Sequence, residues 1–113
     1  MDLEKIKRIL RRYGCKAQLV KAAEELAELQ IILLQDHNKG FIYDQREVYE
    51  ELADVYIMLE QIKLIYSIDE TELNAEIDYK LHRQLKRIEN EQTETFVDNG
   101  ILYKQFKRVD EEC

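Results

Sequence analysis

A chain of 113 residues has room for one compact domain with a single hydrophobic core. Its 17 Lys and Arg stand against 24 Asp and Glu, a formal net charge of -7 that repels polyanions and disfavours a coat for nucleic-acid polymers. Hydrophobic residues at 45% are too many for a disordered chain of this charge, yet no apolar run reaches the roughly 18 residues that span a membrane. Cys15 and Cys113 lack CxxC or zinc spacing, and the charged start MDLEKIKRIL is unlike a secretory signal. The expected compartment is the reducing cytoplasm, with both thiols free.

With no proline and three glycines, long helices are the default and the few breaks organise the chain. Asp2 can cap a first helix whose apolar positions Leu3, Ile6, Ile9 or Leu10, and Tyr13 keep helical spacing until Gly14. A second helix is expected from about Lys16 to Asp36 or His37, ahead of the loop Asn38 to Tyr43. Asp44 caps a third, roughly Gln45 to Tyr66. Asp69 followed by Glu72 starts a fourth, roughly Glu70 to Glu91, with Leu73, Ile77, Leu81, Leu85 and Ile88 on one stripe. Beyond it, Thr95 to Val97 and Ile101 to Tyr103 flank Asp98-Asn99-Gly100, and Asn-Gly favours a tight turn. The spacing predicts a short C-terminal β-hairpin, the alternative being a frayed tail through residues 93–113. The expected architecture is a mainly α, four-helix bundle in one domain, 1–113.

The second and third helices carry the informative residues. From Ala17 to Leu34, 12 of 18 residues are apolar, and from Val48 to Tyr66, 13 of 19, which are the fractions of buried helices. Leu19, Ala23, Leu26, Gln30 and Leu33 form one face of the second helix, while Leu29 and Ile32 lie with Glu25 and Glu28 on the far side. In the third, Val48, Leu52, Val55, Leu59 and Ile62 form the main stripe, and Met58 and Ile65 continue the side of Glu51 and Asp54. Each helix therefore has a second, partly apolar surface holding a pair of acids.

Six acidic pairs stand three residues apart, and four of them sit in polar surroundings or at helix starts, where carboxylates are solvated or complement the helix dipole. Glu25/Glu28 and Glu51/Asp54 differ, because their neighbours on the same side are apolar. Four carboxylates gathered there would repel one another and lose hydration, at a cost of several kcal/mol per uncompensated ion. A bound cation removes that penalty. Spacing i, i+3 points both carboxylates of a pair toward one spot, and two such helices packed antiparallel supply an all-oxygen cluster. Such a donor set suits Mg²⁺, with Mn²⁺ as substitute, and Mg²⁺ shares its coordination between carboxylates and substrate phosphates. A di-iron site would want Glu-x-x-His, but Leu34 and Tyr79 stand three before His37 and His82, and EF-hand and Cys/His zinc patterns are lacking.

Lys21-Ala22-Ala23-Glu24-Glu25-Leu26-Ala27-Glu28-Leu29, then 20 residues, then Glu50-Glu51-Leu52-Ala53-Asp54-Val55-Tyr56-Ile57-Met58-Leu59, resembles the MazG-like all-alpha nucleoside triphosphate pyrophosphohydrolases. Their shared pattern is E-E-x-x-E followed by E-x-x-D. The resemblance covers roughly Ala17 to Asn90 and is fairly specific when both motifs occur in order. It implies an Mg²⁺-dependent enzyme that cleaves a nucleoside triphosphate to the monophosphate and pyrophosphate, in the manner of nucleotide-pool housecleaning. By position, Glu25, Glu28, Glu51 and Asp54 become the metal ligands and catalytic residues, with water attacking the α-phosphorus and pyrophosphate leaving. Glu24 reads as a surface residue beside the site.

Lys80, Arg83 and Arg87 fall on one side of the fourth helix, from which cationic heads could bind a triphosphate; a solvated basic stripe balancing Glu76, Asp78 and Glu89 is the other reading. Tyr56, Tyr66 and Tyr79 could stack on a base, though tyrosines at such spacing more often serve a core or interface. Helices apolar on more than one side also predict a homodimer or homotetramer, as the relatives are, with the Leu29/Ile32 and Met58/Ile65 surfaces as the expected contacts. The competing function is a non-catalytic helical oligomer acting as an interaction or regulatory protein.

Overall fold

A computed structural model describes residues 1–40 and 44–95, with the side chains of 92–95 excluded. The described chain is four α-helices: α1 (Leu3–Tyr13), α2 (Cys15–Asn38), α3 (Gln45–Ile65) and α4 (Glu70–Thr95). There is no strand among the described residues. The mainly α, four-helix expectation holds, with each helix beginning within one residue of its expected start.

The breaks follow local chemistry. Asp2 Oδ1 accepts from the backbone N–H groups of Glu4 and Lys5, at 3.1 and 3.3 Å, and so caps α1. Gly14 ends α1 and begins α2 at a φ of 88°, left-handed backbone that glycine adopts without strain, while its N–H donates to the Leu10 carbonyl at 2.8 Å. Asp44 Oδ1 accepts from Arg46 N at 3.0 Å at the start of α3. The end of α3 is a Schellman turn: Ile68 N–H donates to the Lys63 carbonyl at 2.9 Å and Ser67 N–H to that of Leu64 at 3.3 Å. Ser67 takes the left-handed position usually given to glycine, at a φ of 51°.

Two expectations at the ends of helices change. α2 runs through Asn38, which the sequence reading placed in the loop, and α4 runs through Thr95, which it placed in a hairpin strand. The remainder of the expected hairpin, 96–103, lies outside the described residues.

The chain divides into two compact units, Met1–Asp69 and Glu70–Cys113. In the first, α2 packs along α3 and α1 rests on both. Its core comprises Ile6 of α1, Ala22 and Ile32 of α2, and Val55 and Met58 of α3. In the second, α4 carries the Leu81 and Leu85 stripe exposed.

The packing corrects the expected inward faces. Gln18, Ala22, Glu25 and Ile32 are the buried residues of α2, so the side that bears Glu25 faces α3. Val55, Met58 and Gln61 are their counterparts on α3, with Glu51 half-buried among them. Leu26 and Leu33, and Leu52 and Leu59, from the stripes expected to form the core, are exposed. The surfaces expected between copies, Leu29/Ile32 and Met58/Ile65, are instead half-buried or buried within one chain. The reason is that both helices are apolar on two sides, and the chain closes on the sides that hold the acids.

Candidate metal centre

Because α2 and α3 meet through these sides, their carboxylates converge. Oxygens of Glu25, Glu28 and Glu51 all lie within 4.8 Å of one another. Glu25 is 4% exposed, Glu51 is half-buried and Glu28 is exposed, so the cluster spans from the helix interface to solvent. Asp54 is exposed and close enough to Glu25 to feel its charge, rather than among the three converging oxygens.

The electrostatics of the four acids are divided. The Lys21 ammonium lies 2.8 Å from Glu25 Oε1, one helical turn before it, and holds the Glu25 carboxyl below its ordinary value despite burial. Glu51 is pushed up by lost hydration first and then by the charges of Glu28, Glu25 and Asp54. Asp54 is pushed up by lost hydration and by the charge of Glu25. Lys21, bonded to Glu25, is raised in turn. Among the described residues, Lys21 is the cation bonded to this group of acids.

Two oxygens are left over. Glu25 Oε2 and Glu51 Oε2 are buried and have no hydrogen-bond partner. Buried carboxylate oxygens ordinarily accept hydrogen bonds or bind a cation, because an unpaired one forfeits its hydration. A hard divalent ion fits this donor set: it takes oxygen ligands, carries the compensating charge and would be held by Glu25, Glu28 and Glu51.

The Lys21–Glu25 pair is not among the residues expected at the site from sequence; its signal is the i, i+4 spacing. Glu24 is exposed, as expected. Asp54 also shares a surface hollow of about 690 Å³ with Arg46 and Tyr49, and Arg46 pairs with Glu50 at 3.3 Å. In the second unit Lys80, Arg83 and Arg87 are all exposed, and the Arg83 guanidinium lies 5.8 Å from the centre of the Tyr79 ring. Their assignment to a triphosphate rests on the sequence alone. Tyr56, Tyr66 and Tyr79 are exposed.

Comparison of the chain with protein-family models, with curated proteins and with solved structures finds no match.

Proposed function

We propose that this chain is an Mg²⁺-dependent nucleoside triphosphate pyrophosphohydrolase of the cytoplasm, working as an assembly of two or more copies and yielding the monophosphate and pyrophosphate. The observation that carries the metal is the convergence of Glu25, Glu28 and Glu51, with two buried oxygens unpaired. The observation that carries the reaction class is the pair of motifs, E-E-x-x-E ending at Glu28 and E-x-x-D ending at Asp54, which resembles the all-alpha pyrophosphohydrolases.

The roles of the chain's own residues follow from their surroundings. Glu25 stays ionised through Lys21 and is ready to bind a cation at neutral pH. Glu28, the exposed member, faces the solvent from which a triphosphate would arrive. Glu51 and Asp54 carry raised proton affinity, which a cation would reverse. A bound divalent ion supplies neutralisation of phosphate charge and an oriented water for in-line attack at phosphorus.

The test is product identity. Incubation with each common ribo- and deoxyribonucleoside triphosphate and Mg²⁺ should release monophosphate and pyrophosphate in equal amounts from at least one substrate, and Glu28→Gln should abolish it. Release of diphosphate and orthophosphate, or no turnover on any of them, overturns the reading; the latter favours the non-catalytic oligomer.

A further inference from the structure

The apolar row of α4 is open in the second unit. Ile77, Leu81, Leu85 and Ile88 are 40 to 60% exposed, and Leu73, half-buried, continues the row toward the start of the helix. Residues four apart stand along one ridge of a helix, the feature that seats in the groove of another helix. An exposed apolar row of this length, rimmed by charge, marks a protein interaction surface.

The charges of α4 are segregated along its length. From 70 to 79 the charged residues are all acidic, Glu70, Glu72, Glu76 and Asp78; from 80 to 88 they are all basic, Lys80, Arg83, Lys86 and Arg87. All eight are exposed. The helix dipole does not account for this order, because its influence is confined to the terminal turns. Here the sign changes in mid-helix, and the last turn carries no base.

The change of sign and the apolar row share a centre. Ile77 and Leu81 lie two residues either side of Tyr79, and Leu73 and Leu85 lie six either side. A second α4 opposed head to tail about that point sets Ile77 against Leu81 and Leu73 against Leu85. It also sets the basic half of each helix against the acidic half of the other. Parallel helices would instead place like charges face to face, which costs affinity. Glu72 and Arg87 each immediately precede an apolar residue of the row, Leu73 and Ile88, and so lie on one flank of it. A two-fold axis brings that flank against its own copy, so Glu72 meets the partner's Arg87 twice in each pair.

We propose that α4 is a self-association surface that pairs antiparallel with α4 of a second copy, about a two-fold axis at the level of Tyr79. This defines one interface for the assembly of two or more copies stated above, and it rests on α4 alone rather than on the reaction. It also gives Arg87 a carboxylate partner in place of a phosphate.

Site-directed crosslinking of the full chain reads the orientation. In a Cys15→Ser, Cys113→Ser background, Leu73→Cys and Leu85→Cys chains are treated with a short bismaleimide, each alone and after co-expression. The co-expressed chains should give a product joining 73 to 85. Each alone should give almost none, since antiparallel pairing sets either residue about 18 Å along the axis from its own copy. Sedimentation at low salt is the second arm, and it leaves the apolar row untouched. Glu72→Arg should raise the dissociation constant about tenfold, and adding Arg87→Glu should restore it by reversing both charges of the pair. A product from Leu85→Cys alone means parallel pairing, and one between Leu85→Cys and Leu33→Cys means that α4 covers α2 of another copy. Either result overturns the antiparallel pair. So does the lack of a 73–85 product, or unchanged association in Glu72→Arg, while the wild-type assembly itself stands. A wild type that sediments as one chain overturns both the pair and the assembly.

Discussion

Lys21 Nζ lies 2.8 Å from Glu25 Oε1, while the other oxygen of the same carboxylate, Oε2, is buried without a partner. Half of Glu25 is satisfied by the chain itself and half is left for something else. The ammonium is 51% exposed at its side chain and the carboxylate only 6%, so Lys21 can swing into solvent while Glu25 cannot. Lys21 thus serves as a replaceable counter-ion at the edge of the acid cluster.

Removing that counter-ion has a signed consequence. Lys21→Met keeps much of the apolar stem and leaves Glu25 beside Glu28, Glu51 and Asp54 without compensation. The metal-free melting temperature should fall, and millimolar Mg²⁺ should recover most of the loss, since an ion bound only by the folded state adds to its stability. Differential scanning calorimetry with and without Mg²⁺ checks this. Equal losses in both conditions would mean that Lys21 supports packing rather than charge.

The same charges set the pH dependence of the metal-free fold. Glu51 and Asp54 are raised above their ordinary values of 4.5 and 3.8, so the folded state holds more protons than the unfolded one between those values and the raised ones. Stability should therefore rise as pH falls from 7 into that interval. Glu25 is lowered below 4.5, so its contribution is present above that value and lost as pH falls through the folded one, when the Lys21 pair is broken. The expected profile of melting temperature has a maximum in mildly acidic solution. Saturating Mg²⁺ should move the maximum toward neutral pH, because the cation favours the ionised acids. A metal-free profile that only rises toward pH 7 would contradict the raised values at Glu51 and Asp54.

The exposed apolar faces of the first unit carry their own expectation. Leu26 and Leu33 on α2 and Leu52 and Leu59 on α3 are exposed in one chain. Each pair is seven residues apart and forms an apolar row of the kind that association buries. Sedimentation at micromolar concentration should give at least two chains, and Leu33→Lys with Leu52→Lys should shift the distribution toward one. A clean monomer in wild type would contradict it.

The legible part of this molecule was its punctuation and its acids. Asp2, Gly14 and Asp44 mark helix ends through their own backbone chemistry, so local sequence sufficed for them. Glu25 with Glu28, and Glu51 with Asp54, could be paired because i, i+3 spacing is a property of one helix. The inward face was not legible: α2 offers Leu26 and Leu33 on one side and Leu29 and Ile32 on the other, and periodicity cannot choose between two apolar sides. The Gln18–Gln61 bond spans 43 positions and has no local signal. Ser67 in a left-handed turn carries no signal either, since glycine or asparagine is the usual mark of that position.

The central claim is that Glu25, Glu28 and Glu51 hold a divalent cation, and calorimetric titration of the metal-free protein with Mg²⁺, repeated with Mn²⁺, tests it most directly. Wild type should show saturable binding, and Glu51→Gln should weaken it at least tenfold, since one hard anionic ligand is lost with the shape retained. The metal-free melting temperature of Glu51→Gln should hold or rise, because the substitution relieves repulsion among the acids. Identical binding by wild type and Glu51→Gln, or no saturable binding by wild type, would contradict the assignment.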